Sequence, residues 1–285
     1  MASIMNLSIV IPAYNEEIGI AGTIDGVVEV IKLLDIEYEL IVVNDGSTDN
    51  TAKIVENKNI KIINHEENKG YGASLKTGVR YSQYENILII DADGSYPAEH
   101  IPDLLESAMN YDMVVGARVA GNVKIPLIRK PAKLFINKLA NYLAEKKIPD
   151  LNSGMRIIKK EIIQQFLKIL PNGFSFTVTI TLAMLTNDYQ IKYIPINYNE
   201  RKGKSKIRPI HDTLNFIQLI IRTVMYFNPL KIFVPLSFFF VIPGIGFLIR
   251  DILALNLAQS SILLIVTGAL ILSIGMLADL IHKKL

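Results

Sequence analysis

The sequence has no cysteine. Disulfides, thiol catalysis and cysteine-ligated zinc are thereby excluded, and nothing marks an oxidising compartment. Net charge is also small, +3 from 30 basic and 27 acidic residues, so a strongly electrostatic nucleic-acid binder is not indicated. The four histidines, His65, His100, His211 and His282, are scattered without ligand spacing and are expected to be structural or solvated. Gly203-Lys204-Ser205 looks like the end of a phosphate loop, but Tyr198 stands where the earlier glycine is required. Gly70-Tyr71-Gly72 lacks the third glycine of a dinucleotide fingerprint. The first apolar run, Leu7–Ile11, is too short for a secretory leader and has no basic residues before it, so no signal peptide is expected.

What is abundant is apolar residues. They make up 50% of the chain, with a mean hydropathy of +0.32, and they collect after Asn228. Leu230–Ile249 and Ser261–Ile281 are each close to the roughly 20 residues that cross a bilayer. The short connection Arg250–Ser260 makes the pair a helical hairpin. Its outer ends are flanked by Arg222, Lys231, Lys283 and Lys284, so both ends and the globular part before them are expected on the cytoplasmic side. A buried hairpin inside a soluble core is the alternative. Ahead of it, Pro209–Phe227 places Leu214, Ile217, Ile220, Ile221 and Val224 at helical spacing beside polar residues. Such an amphipathic helix suits the lipid interface, with packing on the globular part as the alternative.

The first half alternates apolar, β-rich runs with helical patterns. Strands are expected at Leu7–Ile11, Tyr38–Val43, Ile60–Ile63, Asn86–Ile90 and Met113–Gly116. Helices are expected at Glu16–Leu34, Asp49–Glu56, Gly72–Ser82 and Ile101–Met109. A longer helical pattern covers Leu127–Lys147, with Pro131 in its first turn. Further elements are a strand at Met155–Ile158, helices at Glu161–Leu170 and Phe176–Asn187, and a strand at Gln190–Tyr198. This is an α/β chain with a mostly parallel sheet covered on both faces. Ligands in such sheets bind beyond the carboxyl ends of the strands, so the polar residues after each apolar run are the candidates.

Three such segments stand out. Asp91-Ala92-Asp93 follows Ile87–Ile90, and two carboxylates at i and i+2 can both reach one hard cation, Mg2+ or Mn2+. Pro12-Ala13-Tyr14-Asn15-Glu16 follows the first strand, and Asn44-Asp45-Gly46-Ser47-Thr48-Asp49 follows the second. Taken singly, each reads as turn and capping chemistry. Their occurrence at three strand ends of one sheet points to a nucleotide and metal site.

These segments, in this order, resemble the inverting family 2 glycosyltransferases of GT-A fold, in particular the polyprenyl-phosphate sugar transferases of the dolichol-phosphate mannose synthase type. The likeness continues through Asn68-Lys69-Gly70-Tyr71-Gly72, Asp91-Ala92-Asp93-Gly94, Gly116-Ala117-Arg118, Asn152-Ser153-Gly154-Met155-Arg156 and Arg201-Lys202-Gly203-Lys204-Ser205-Lys206. It implies a Rossmann-like GT-A domain over residues 1–207, an amphipathic interfacial helix over 208–228 and a transmembrane hairpin over 229–285. Pro12, Tyr14 and Glu16 would line the nucleoside pocket, Asp45 would hold base or ribose, and Asp91, Ala92 and Asp93 would serve the metal and donor diphosphate. Arg118 and Arg129 would meet phosphate, and Arg201 and Lys206 would close over the site. The basic cluster from Arg201 to Arg208 also suits anionic headgroups, and Arg118 and Arg129 could be ordinary surface charges.

Two departures accompany the resemblance. The family's paired acids before Gly-Ser appear as Asn44-Asp45, and Gly94-Ser95 replaces the usual Leu-Gln. The implied reaction is an inverting transfer of a hexose from a nucleotide-sugar to dolichyl or undecaprenyl phosphate. Mannose from GDP-mannose stands first and glucose from UDP-glucose second. A phosphate acceptor is already anionic, which agrees with the lack of a carboxylate in Asn172–Thr177, where hydroxyl-transferring relatives often carry Glu-Asp. The competing expectations are a transferase acting on a polysaccharide or other surface hydroxyl, a non-catalytic scaffold and a nucleotidyltransferase.

Overall fold

The computed structural model describes residues 6–118, 138, 140–142, 145–173, 175–199, 218, 220–256 and 258–282. Arg129, Arg201 and Lys206, the helix start expected at Pro131 and most of the expected amphipathic helix lie outside them.

Seven strands form one sheet in the order β3-β2-β1-β4-β6-β5-β7. They are β1 (Leu7–Ala13), β2 (Tyr38–Asn44), β3 (Lys61–Asn64), β4 (Asn86–Ile89), β5 (Met113–Ala117), β6 (Arg156–Lys159) and β7 (Ile191–Pro195). All pairings are parallel except those of β6, which runs antiparallel between β4 and β5. β1 and β5 are buried along their whole length, as the unbroken apolar runs require when helices cover both faces. Because β6 is reversed, its beginning lies at the same sheet edge as the ends of its parallel neighbours. Val115 and Ile89 both pair with Arg156.

On one face, α1 (Ile20–Ile31) and α4 (Ile101–Ala108) bury Ile20, Ile24, Val27, Leu104 and Leu105 against Ile9, Ile11, Val42 and Leu88. On the other, α3 (Tyr71–Tyr81), α5 (Lys160–Phe166) and α6 (Phe176–Thr186) pack Leu75, Val79, Ile163 and Phe176 on Val10, Ile87 and Ile89. The short α2 (Thr51–Glu56) follows β2. α6 is buried over Phe176–Leu185 because a third cluster covers its outer side, made by Ala140, Ile148, Leu151, Ile220 and Val224.

α1 starts four residues later than the pattern predicts. Asn15 adopts φ +53, and the N–H groups of Glu16 and Glu17 bond Thr51 Oγ1 at 2.9 Å and Asp49 Oδ2 at 3.2 Å. The early turn is thereby drawn off the helix axis onto the neighbouring loop.

The C-terminal hairpin comprises α7 (Leu230–Leu253) and α8 (Gln259–His282). Leu230–Leu253 and Gln259–Ile281 each contain an 18-residue window of mean hydropathy 2.4, long and apolar enough to cross a membrane. α7 continues through Pro235 and Pro243. Its start is not a loose tether. Phe227 packs edge-on against Phe166 at 5.8 Å, Ile232 joins the third cluster, and Lys231 Nζ pairs with Glu145 at 2.9 Å.

Candidate functional site

The carboxyl edge of the sheet gathers the ends of β1, β2, β3, β4 and β5 with the beginning of β6. Pro12 is buried near the end of β1, and Tyr14 and Glu16 follow it half-buried. Asp45 continues β2, its N–H donating to Ala13 O at 2.8 Å, so it stands beside Tyr14. Two loops are locked together next to it. Ser47 Oγ accepts from Asn15 N–H at 3.0 Å, and Asn15 Oδ1 accepts from Thr48 N–H at 2.8 Å.

Asp45 is 2% exposed and works as a hub. Its Oδ1 lies 2.6 Å from His65 Nδ1 and accepts Lys69 N–H at 3.0 Å; its Oδ2 accepts Gly70 N–H at 2.8 Å. Thr77 Oγ1 meets the other nitrogen of His65 at 2.9 Å. Gly46 takes φ +68, where a Cβ would stand 2.6 Å from the Glu67 backbone, so only glycine fits. Asn44, the departure from a paired acid, donates to Asn64 across the β2–β3 register at 2.8 Å and accepts Ser47 N–H at 3.2 Å. The amide at 44 both donates and accepts, which a carboxylate cannot do.

Asp91 and Asp93 follow β4. Tyr71 O–H donates to Asp91 Oδ1 at 2.8 Å. Gly154 abuts the same carboxylate, since a Cβ there would be 2.1 Å from Asp91 Oδ2. Asp93 Oδ1 accepts Ser95 N–H at 3.0 Å and the Ser95 hydroxyl at 2.5 Å. Ser95 therefore fixes the acid two residues before it. Between the two acids, Ala92 O accepts Thr23 Oγ1 at 3.1 Å, tying the turn to α1. Two carboxylates supply hard oxygen ligands, and among the described residues no third His, Asp or Glu completes a cluster with them. That donor set fits Mg2+ or Mn2+, which commonly take one or two carboxylates and complete their shell with phosphate oxygens and water. It does not fit a closed, all-protein cage.

Arg118, expected to meet phosphate, has its fork on Asp150 instead, with Nε and Nη2 donating at 2.6 and 2.8 Å. Burial acts to lower the Arg118 pKa, and the Asp150 bonds and charge outweigh it, leaving it raised. Burial likewise opposes the ionised Asp150, and Arg118 overrides it, holding the carboxyl below its usual range. The guanidinium lies over the Tyr198 ring at 5.3 Å, and Tyr198 meets Tyr96 edge-on at 5.2 Å. The Tyr96 hydroxyl oxygen accepts Gly154 N–H at 2.6 Å, which brings this chain of contacts back to Asp91. Asn199 N–H also donates to Ser95 O at 2.9 Å. The segment after β7 is thus tied to Ser95, the residue whose hydroxyl holds Asp93.

Beneath the 150–154 loop lies Arg156, fully buried. It donates to Ser153 O through Nε at 3.1 Å and through a very short Nη2 contact. It also donates to Thr177 O at 3.2 Å and Thr181 Oγ1 at 3.0 Å. Burial pushes its pKa down, while nearby tyrosine hydroxyls and Asp150 act the other way.

Sequence reasoning singled out Asp45, Asp91 and Asp93 but passed over His65, Tyr96 and Asp150. A signal for His65 existed: it directly follows β3 at the same sheet edge.

Comparison with known proteins follows from this geometry. Residues 8–167 match the family described as "Glycosyl transferase family 2", and residues 228–283 match "GtrB C-terminal hairpin". A dolichyl-phosphate hexose transferase of Haloferax volcanii is 29% identical over 206 residues, spanning 72% of this chain and 87% of that protein. An undecaprenyl-phosphate 4-deoxy-4-formamido-L-arabinose transferase of Proteus mirabilis is 30% identical over 202 residues, 65% of this chain and 62% of that one. A dolichyl-phosphate beta-glucosyltransferase of Dictyostelium discoideum is 26% identical over 242 residues, 76% and 73% respectively. Among solved structures, glucosyl-3-phosphoglycerate synthase from Mycobacterium tuberculosis, crystallised with Mn2+, UDP-glucose and phosphoglyceric acid, superposes with a TM-score of 0.61 at 18% identity. That match covers 77% of this chain and 80% of the other, and at such identity it shows the shared fold.

Proposed function

Because this chain belongs to glycosyl transferase family 2, we propose that it transfers a hexose from a nucleotide-sugar to the phosphate of a membrane-borne polyprenyl lipid, inverting the anomeric centre. The observation that carries this reading is the pairing of an acidic Asp91–Asp93 edge with a C-terminal hairpin of the GtrB type in one chain. Relatives named for dolichyl and undecaprenyl phosphate support the acceptor.

Pro12, Tyr14, Glu16 and Asp45 receive the nucleoside. Asp91 and Asp93 would hold Mg2+ or Mn2+, which when bound supplies positive charge to the diphosphate that leaves. A lipid phosphate is anionic near neutral pH and attacks without a general base, so the protein's part is positioning and charge neutralisation. Arg129, Arg201 and Lys206 are the cations assigned to donor or acceptor phosphate. The occupied fork of Arg118 favours a different duty for it, holding the 150–154 loop. The hairpin lies in the bilayer with both its outer ends and the catalytic domain on the cytoplasmic side, where the lipid phosphate arrives at headgroup level.

For the donor, the two-helix hairpin and the glucosyl relative move UDP-glucose ahead of GDP-mannose. The test is a donor screen with purified full chain, undecaprenyl or dolichyl phosphate, and Mn2+ or Mg2+, with the lipid product identified by mass. A hexosyl phosphopolyprenol made from UDP-glucose is expected. Larger turnover of GDP-mannose would reverse the donor order, and transfer only to a sugar hydroxyl would remove the lipid acceptor. Asp91→Ala and Asp93→Ala are each expected to abolish product while the protein stays folded.

A further inference from the structure

We propose that Tyr71 is a positioning residue for Asp91, and that it joins the nucleoside contact at Asp45 and the diphosphate contact at Asp91 into one mechanical unit. The proposal rests on the donor reading above and adds to it a residue that the acidic motifs do not contain.

Tyr71 is the first residue of α3, and its place is fixed from two sides. On one side, the two N–H groups just before it, of Lys69 and Gly70, both end on the Asp45 carboxylate at 3.0 and 2.8 Å. Gly70 takes φ +100, so the chain turns sharply between that carboxylate and the helix. On the other side, the loop before α6 backs the first turn. Ala73 N–H donates to Asn172 O at 3.0 Å, and a Cβ on Gly72 would stand 2.2 Å from Pro171 O. The helix start therefore cannot slide towards or away from β4. The phenol then spans the gap and donates to Asp91 Oδ1 at 2.8 Å.

Asp91 is thus held between a hydroxyl on one oxygen and the Gly154 backbone against the other. A carboxylate that would hold the cation serving a diphosphate gains from having its rotamer set before they arrive. The same turn that Asp45 orders also aims Tyr71, so disturbance at the nucleoside end is passed to the phosphate end through a rigid helix start. Residues in one hydrogen-bonded network couple in this way and give non-additive double mutants.

The experiment compares wild type, Tyr71→Phe, Asp45→Asn and the double variant of the full chain. Calorimetric affinities for UDP and UMP are measured with and without Mn2+, and thermal unfolding is followed in parallel. Tyr71→Phe is expected to weaken Mn2+-dependent UDP binding about tenfold, the scale of one hydrogen bond to a charged group. UMP affinity and the unfolding temperature are expected to stay near wild type. Asp45→Asn is expected to weaken UMP as well, and the double variant is expected to lose less UDP affinity than the sum of the singles. Equal weakening of UDP and UMP by Tyr71→Phe, or additive losses, would overturn the positioning role. If wild type gains no UDP affinity from Mn2+, the metal and donor reading itself falls and takes this assignment with it.

Discussion

At the scale of single residues, the site is narrowest at Gly154. Its Cα presses on the Asp91 carboxylate and its N–H is held by Tyr96, so it can neither gain a side chain nor retreat. Gly154→Ala is expected to displace Asp91, cutting turnover about 100-fold, as misplacement near 1 Å does. The stability cost is expected to be only about 1–3 kcal/mol. Measured turnover beside urea unfolding checks it, and unchanged turnover would show that the carboxylate orientation is immaterial. The Arg118–Asp150 pair makes a second prediction. Asp150 has a folded pKa below its unfolded value, so its stabilisation is present above the ordinary carboxylate range and is lost as pH falls through the folded pKa. Asp150→Asn is expected to cost about 3 kcal/mol at pH 7 by stranding a largely buried guanidinium. It is also expected to flatten the loss of stability that wild type shows below about pH 4. Urea midpoints across that range test both. The acids at 91 and 93 stood out as candidates because Asp91 directly follows the apolar run Ile87–Ile90 and Asp93 comes two residues later. Asp150 and Tyr71 were not, because their partners lie 32 and 20 residues away and only the folded sheet edge brings them together.

Among the elements, the hairpin shows what pattern reading can and cannot extract. Its two helices were visible from length and hydropathy, yet the seam between them was not. When nearly every residue is apolar, no polar stripe marks the buried side. The seam is written instead in small and polar residues seven apart: Ser237, Gly244 and Asp251 on α7, facing Ser261, Gly268 and Gly275 on α8. Ser237 O–H donates to Gly268 O at 2.8 Å, and Asp251 accepts from Ser261 O–H and Ala258 N–H at the turn. A Cβ on Gly268 would lie 2.4 Å from Val241 Cγ2, and one on Gly275 would lie 2.4 Å from Phe233 Cβ. Small residues allow this close approach in lipid, where packing rather than hydrophobicity drives helix association. Gly268→Leu is expected to separate the helices and to lower the unfolding temperature in detergent, while UDP binding at the sheet edge survives. A fully stable variant would mean the seam can repack. The late start of α1 has a similar origin: its helical periodicity was legible, but the side chains of Thr51 and Asp49 that capture the N–H groups of Glu16 and Glu17 come from the start of α2 and the turn before it.

For the whole molecule, the alternation of strands and helices was enough to read a covered sheet, and its carboxyl edge is where the candidate residues gather. The reversed strand β6 was not readable, since an apolar run carries no direction. That strand matters because its beginning delivers Gly154 and Arg156 to the site. The sheet part and the hairpin are joined by packing at Phe227, Lys231 and Ile232. An enzyme built this way can meet a lipid phosphate only on the side of the membrane where its sheet lies. In the orientation proposed above, that side is the cytoplasmic one. The absence of cysteine makes the assignment easy to test, because any thiol introduced is the only one. Asn256→Cys sits exposed in the turn between the helices, and Glu106→Cys sits exposed on α4. In intact cells a membrane-impermeant maleimide is expected to label position 256 and to leave position 106 untouched until the membrane is opened. The opposite pattern would place the donor site on the far side, away from cytoplasmic nucleotide-sugars. Labelling of both positions in sealed cells would mean that the hairpin does not span the bilayer.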